Sequence, residues 1–395
     1  MKTVLQQVRA LASTLGVAAV LLALLSLLFA SCASVPRGLC NPDPSAGTVG
    51  SICGFENPED VEAVPSADIL LVSNMRHGKS GGKLLAMPLN PDKQKAARPW
   101  QLWPPETKTD AEVADPAGHP DCRKPSDPFS PHGIASTGTD VPGIVRVVAV
   151  VHDTREAIEL YDLAGIGDEA TLVWRGCIPL PPEMTANDVQ FAPNGEIVAT
   201  FYQPVMKGLK GTYYTLASTL GVKTGHVIAW KEGRDWRDVK STEAAGPNGL
   251  VVRDGSVIFS ASGTGEVCSV PLAGLTDGEN LKCTKICGHP DNLTLSPRGT
   301  ILAATHTDAF ALLICRLSQP PCTNGSQTPE IEQPPCRSGW SIFEIDPATL
   351  KVTRLLHHDG SAVGAVSSVA EHKGRFYFGA IFDDRIGVWE RKNTR

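Results

Sequence analysis

No run of basic residues occurs anywhere in this 395-residue chain. Lys and Arg number 36 against 42 Asp and Glu, a formal net charge of -6. Nucleic-acid binding needs a clustered positive field, so nucleic acid is not an expected partner. Helical periodicity is scarce, which argues against a helical bundle. Zinc-ribbon spacing is missing too: Cys283 and Cys287 are four apart, with no second such pair beside them. What the chain has instead is 37 Gly, 31 Pro and many short β-branched runs separated by turn signals. That pattern predicts an all-β fold.

Residues 1–31 read as a leader. Lys2 and Arg9 precede a long apolar run, Val17–Ala30, and small residues lead into Cys32. Three readings stay open: a cleaved secretory signal, a lipobox in Phe29-Ala30-Ser31-Cys32 that would lipidate Cys32, or an uncleaved anchor nearly long enough to span a bilayer. All three place residues 32–395 outside the cytoplasm, whether secreted, periplasmic or membrane-anchored. The leader or a lipid on Cys32 would be the route to a membrane. Eleven cysteines agree with an oxidising compartment, since ten remain if Cys32 is lipidated or lost. Cys315, Cys322 and Cys336 bracket a Pro-rich insertion at about 315–336, and their pairing cannot be read from sequence. Asn324-Gly325-Ser326 is a glycosylation sequon with meaning only in a eukaryotic secretory pathway.

Internal similarity decides the architecture. NDVQFAPNGEIVAT (187–200), NGLVVRDGSVIFSA (248–261) and DNLTLSPRGTILAAT (291–305) share one plan: a polar residue, an alternating strand, a Gly-containing turn and a second apolar strand. Segments 59–74, 132–150 and 367–381 fit the same plan. Six repeated hairpins predict a six-bladed β-propeller spanning 32–395. Residues 203–225 are the exception and predict a helical rim insertion over one mouth of the channel.

In a propeller the first strand of each blade lines the axis. Here those strands open with Glu59-Asp60, Pro131-His132-Gly133, Asn187-Asp188, Asn248 and Asp291-Asn292. A lone Asn or Asp before a strand is more often a turn residue than a ligand. Four carboxylates meeting near one axis need a compensating charge, and carboxylates mixed with amide oxygens suit a hard cation such as calcium.

With these motifs the chain resembles the paraoxonase/arylesterase family, calcium-dependent six-bladed propellers that hydrolyse lactones and esters. The resemblance runs from ENPEDVE (56–62) through GGKLLAMPLN (81–90), FSPHGIAST (129–137) and NDVQFAPNGEIVAT to DNLTLSPRG and VAEHKGRFYFGAIF. It implies two calcium ions per chain. The catalytic one would be held by Glu59, Asn187, Asn248, Asp291 and Asn292, the structural one by Asp60, Asp188 and the carbonyl of Ile134. It implies a histidine dyad, His132 with His152, and pocket positions at His306 and His77. Departures fall at Val151 and Asp153-Thr154, which flank His152, at Asn74-Met75-Arg76-His77-Gly78 in place of a tyrosine segment, and at the C-terminus, which lacks the family's closing cysteine.

The implied chemistry is attack by water on a lactone or aryl-ester carbonyl, with His132 as general base, His152 orienting it or relaying its proton and calcium as Lewis acid. No serine nucleophile is implied, because Ser130 and Ser136 flank His132 without an evident base. Met75, Met206, Tyr213, Tyr214 and Leu216 lean toward an apolar substrate. Two rivals remain: a sugar lactonase of the gluconolactonase type, and a non-catalytic secreted propeller that binds a protein or glycan.

Overall fold

Apolar and β-branched stretches such as ILLVSN (Ile69–Asn74) and IVRVVAVVHD (Ile144–Asp153) form strands wherever both faces can be covered. In the computed structural model the described residues are 47–75, 81–94, 98–105, 117–125, 129–153, 155–204, 208–274, 281–307 and 338–391. The leader, Cys32, His77, Met206 and the 315–336 insertion lie outside them.

The described strands make six antiparallel-cored sheets, five of four strands and one of five. Their innermost strands are Pro58–Val64, Phe129–Gly138, Thr185–Phe191, Pro247–Arg253, His289–Leu295 and Val366–His372. Each pairs with the next strand as a hairpin, so all six repeats read from the sequence are blades. Two of the hairpin turns are two-residue turns with both residues left-handed: Asp254 (φ 50°) with Gly255 (φ 74°), and Lys373 (φ 50°) with Gly374 (φ 81°). This geometry matches the twist of the flanking strands.

The inner strands contact their neighbours all the way round, the last touching the first. Six apolar clusters fill the six gaps between adjacent blades. Tyr161, Trp340, Tyr377 and Phe259 are among the largest wholly buried side chains. Ring closure is made by Val49–Cys53, which pairs with Arg385–Glu390 as the outer strand of the last blade, from Val49 opposite Trp389 to Cys53 opposite Arg385. Backbone hydrogen bonds thus join the first described strand to the last.

Disulfides Cys122–Cys177 and Cys268–Cys283 are present, the second between directly paired strands. Cys53 is disulfide-bonded as well, and Cys287 is free and exposed. These bridges fit an oxidising, extracytoplasmic environment. No described helix is long and apolar enough to cross a membrane.

The rim insertion is a helix, Gly208–Thr219, between Ile197–Gln203 and His226–Trp230 of the third blade. It buries Gly211, Ala217 and Ser218 and turns Leu209, Tyr213 and Leu216 outward, with Leu220 exposed just beyond its end. Tyr213 and Leu216, which lean toward an apolar substrate in the sequence, are exposed: small residues let the helix backbone sit close to the loop at Gly246 and Gly263, and the bulky ones are left outside.

Candidate active site

All six inner strands break register with their partners at the same level, near their starts. The breaks lie between Pro58 and Asp60, Pro131 and Ile134, Ala186 and Val189, Pro247 and Leu250, Pro290 and Leu293, and Val366 and Ser368. A bulge re-aims the side chains it carries. The residues inside these breaks are Glu59, His132-Gly133, Asn187-Asp188, Asn248-Gly249, Asp291-Asn292 and Ser367. Proline stands at the near edge of four of these breaks (Pro58, Pro131, Pro247 and Pro290), consistent with a position that gives up a ladder hydrogen bond. One repeated defect brings the sequence-predicted residues to one level of the channel.

Glu59, Asp60, His132, Asn187, Asp188, Asn248, Asp291, Asn292 and His306 are all buried. Glu59 Oε1 accepts from Asn292 Nδ2 at 2.9 Å and stands 3.4 Å from His132 Nε2. Its backbone carbonyl accepts from the hydroxyls of Ser367 (2.5 Å) and Ser368 (2.9 Å). Four oxygens of this outer set have no hydrogen-bond partner: Glu59 Oε2, Asn187 Oδ1, Asn248 Oδ1 and Asn292 Oδ1. A buried acceptor left unmade costs about 1–3 kcal/mol, so four of them at one level call for a shared positive partner. Among the described residues no three His, Cys, Asp or Glu side chains stand together as a metal site; this set takes three of its four free oxygens from amides. Such oxygen-only donors fit calcium, which takes about 6–8 oxygens in flexible geometry.

The inner pair is differently made. Asp60 accepts from the backbone N–H groups of Val61 and Ile134, both at 2.8 Å. Asp188 accepts from those of Val189 and Leu250, both at 2.7 Å. Each carboxylate oxygen keeps a second lone pair. Burial, followed by the charges of Glu59 and Asp188, pushes the Asp60 carboxyl well above its ordinary value. Burial pushes Asp188 up likewise, against its backbone hydrogen bonds. Ile134 meets Asp60 through its N–H; its carbonyl, the atom expected to face the inner ion, is separate from that contact. Thr200 Oγ1 accepts from Asp188 N and donates to the Asn248 carbonyl (2.5 Å), tying the third blade to the fourth.

Close approach of the blades depends on glycine. A Cβ on Gly133 would lie 2.7 Å from the Asn187 carbonyl oxygen, Asp188 Cα and Asp188 Oδ1. Gly133→Ala is expected to cost about 1–3 kcal/mol through overpacking, read as a lowered thermal midpoint. A midpoint equal to wild type would show that the inner strands are not held this close.

The histidines meet as expected. His132 Nδ1 is 3.1 Å from His152 Nε2, and His152 Nδ1 is 2.6 Å from Glu156 Oε2. Burial pushes the His132 pKa down, but the carboxylates of Glu59, Asp291 and Asp188 more than offset this and hold it above the ordinary 6.5. His306 Nε2 lies 2.7 Å from Asp291 Oδ2, and its Nδ1 is buried without a partner. His77 falls outside the described residues.

Sequence reasoning missed three groups. Glu156 follows His152 by four residues across a turn, where the eye is drawn to Asp153-Thr154. Asn57 is buried with both amide atoms unpartnered; its place two residues before Glu59 was the available signal. Ser136 donates to Glu62 at 2.8 Å, and burial pushes that carboxyl up to about 7. Gly78, Ser80 and Gly82 also have the Gly-x-Ser-x-Gly spacing of a serine nucleophile. Gly78 and Ser80 lie outside the described residues; the described strands that flank the segment, Ile69–Asn74 and Lys83–Pro88, pair antiparallel, whereas that motif works between a strand and a helix.

No family model and no curated protein matches the chain. Among solved structures it is similar to a luciferin-regenerating enzyme, with 13% identity, 88% of this chain and 96% of that one covered, and a TM-score of 0.51. A candidate gluconolactonase matches at 13% identity, covering 88% and 93%, with a TM-score of 0.47. The PQQ-bound aldose sugar dehydrogenase of Streptomyces coelicolor matches at 12%, covering 88% and 99%, with a TM-score of 0.45. Likeness at this level of identity establishes a fold and no reaction. The chain is a six-bladed β-propeller, similar in fold to the luciferin-regenerating enzyme.

Proposed function

We propose that this protein is a calcium-dependent hydrolase of lactones and aryl or carboxylic esters. One observation carries the reading: four buried, unpartnered oxygens (Glu59 Oε2 and Oδ1 of Asn187, Asn248 and Asn292) at the same channel level as a histidine dyad. Glu59, Asn187, Asn248, Asp291 and Asn292 would hold the outer ion, and Asp60, Asp188 and Ile134 the inner one. A bound calcium supplies a Lewis acid for the ester carbonyl and a positive field for the oxyanion that follows attack.

The chain's own residues do the rest. His132 Nε2 faces the outer oxygens and takes the proton of an attacking water. His152 accepts from His132 Nδ1 and fixes the ring's direction. Cation charge at the outer set would cancel the carboxylates that now hold the His132 pKa up, leaving a ring able to act as a base near neutral pH. Asn292 Nδ2 locks Glu59 Oε1, so the carboxylate keeps Oε2 free and would offer it to a cation. His306 orients Asp291 through Oδ2 in the same way.

The test is a substrate panel with calcium present: phenyl acetate, dihydrocoumarin, δ-valerolactone and glucono-δ-lactone. Hydrolysis of the first two or three is expected. Turnover confined to glucono-δ-lactone would favour a sugar lactonase, and no turnover on any would favour a binding propeller.

A further inference from the structure

Resting on the reading of His132 as the base, we propose that Glu156 is a positioning residue for this reaction: its carboxylate fixes both histidines in the Nδ1–H tautomer, so that the His132 Nε2 lone pair faces the outer oxygens. The chain of contacts is Glu156 Oε2 to His152 Nδ1 (2.6 Å), His152 Nε2 to His132 Nδ1 (3.1 Å) and His132 Nε2 to Glu59 Oε1 (3.4 Å).

Counting protons selects one arrangement. A neutral pair of imidazoles carries two N–H groups, one per ring. Three contacts compete for them, so one contact goes without. The Glu59 contact is the longest, beyond the usual range for N–H···O, and the Glu156 contact is the shortest. A carboxylate accepts only, so His152 must donate from Nδ1 to Glu156. Its Nε2 is then an acceptor, and His132 must donate from Nδ1. The one lone pair left over is on His132 Nε2. The reverse arrangement would set the His152 Nδ1 lone pair against a carboxylate oxygen 2.6 Å away.

Glu156 is held in place for this. Its carbonyl accepts from Leu180 N at 3.0 Å. The adjacent Arg155 donates from Nε to Glu159 Oε1 at 3.0 Å and from Nη1 to the Arg123 carbonyl at 2.5 Å. Glu159 is fully buried, and its other oxygen accepts from Trp174 Nε1 at 2.7 Å. The Cys122–Cys177 disulfide closes the same corner. Glu156 itself is 36% exposed along its side chain while His152 is 13% exposed, so the relay ends at solvent. When His132 Nε2 takes the proton of water, the Nδ1 proton of His132 can pass to His152 Nε2, and that of His152 Nδ1 to Glu156 and out. One proton enters and one leaves, and both rings are neutral again after tautomer reset.

The experiment combines kinetics on phenyl acetate with calcium present and 15N NMR of histidine-labelled protein. Wild type should show Nδ1–H and unprotonated Nε2 on both rings. Glu156→Leu should lower kcat about tenfold or more with KM within about twofold, because orientation of the base and not substrate binding is lost. It should also shift His152 toward Nε2–H. Glu156→Asp, which keeps a carboxylate, should recover part of the rate. In a His132→Gln background Glu156→Leu should cost nothing further, since residues acting as a unit are not additive. An Nε2–H tautomer on His152 in wild type, or a Glu156→Leu variant with wild-type kcat and unchanged tautomers, would overturn the proposal. If instead His132→Gln keeps wild-type turnover, the base reading falls, and the wild-type tautomers still decide whether Glu156 orders the pair.

Discussion

His132→Gln lowers kcat for phenyl acetate by about 10²–10⁴-fold while the propeller stays folded; that is the expected size of a lost general base. The substitution keeps a polar group of similar volume at a buried site, and the inner strand Phe129–Gly138 keeps its ladder to Ile144–Asp153. What goes is the Nε2 lone pair beside Glu59. Thermal midpoint and circular dichroism should stay near wild type, so the loss can be assigned to chemistry. A fall of less than about threefold would remove His132 from the mechanism, being far below the contribution of a general base. Ser80→Ala belongs in the same experiment, because a serine nucleophile at residues 78–82 would show itself by a loss as large as that at His132. The expected result there is full activity.

Exhaustive chelation should abolish turnover and restored calcium should recover it, and chelation should also change how stability depends on pH. Asp60 and Asp188 face one another's charge from buried positions, and both carboxyls stand well above the ordinary 3.8. In metal-free protein a folded pKa raised above the unfolded one gives stability that is present below 3.8 and lost as pH rises through the folded value. The chelated protein should therefore be less stable at about pH 8 than at about pH 5. Calcium, binding the ionised form, should reverse that slope and add about 2.7 kcal/mol at a hundredfold excess over Kd. Asp188→Ala should remove its own share of the pH slope in the chelated protein and leave the share of Asp60, whose carboxyl is raised first by burial and then by Glu59. Turnover that survives full chelation would contradict the metal reading, and a pH slope unchanged by calcium would remove the inner ion.

The blades were legible because each hairpin carries its own local signal: alternation, a turn and a second apolar run, as in NDVQFAPNGEIVAT and DNLTLSPRGTILAAT. The level of the site was legible because the same polar step opens the inner strands of several blades. The bulge beneath that step was not, since a register shift shows only when two strands are paired. Glu156 was not legible for a similar reason: its meeting with His152 depends on how Ile144–Asp153 pairs with Ala157–Ala164. The outward face of helix Gly208–Thr219 also escaped, because its Leu and Tyr spacing looks the same whether the helix buries its apolar side or its small residues. Here Gly211, Ala217 and Ser218 went inside. Closure by Val49–Cys53 against Arg385–Glu390 pairs the first and last described strands, a contact no local pattern reveals.

On the proposed function, the oxygens of the channel hold two hard cations. Elemental analysis of protein purified without chelator tests it most directly. Two calcium ions per chain are predicted, one for the outer oxygens of Glu59, Asn187, Asn248, Asp291 and Asn292 and one for Asp60 and Asp188. Protein that is fully folded and active with no bound calcium, or with zinc in its place, would contradict it.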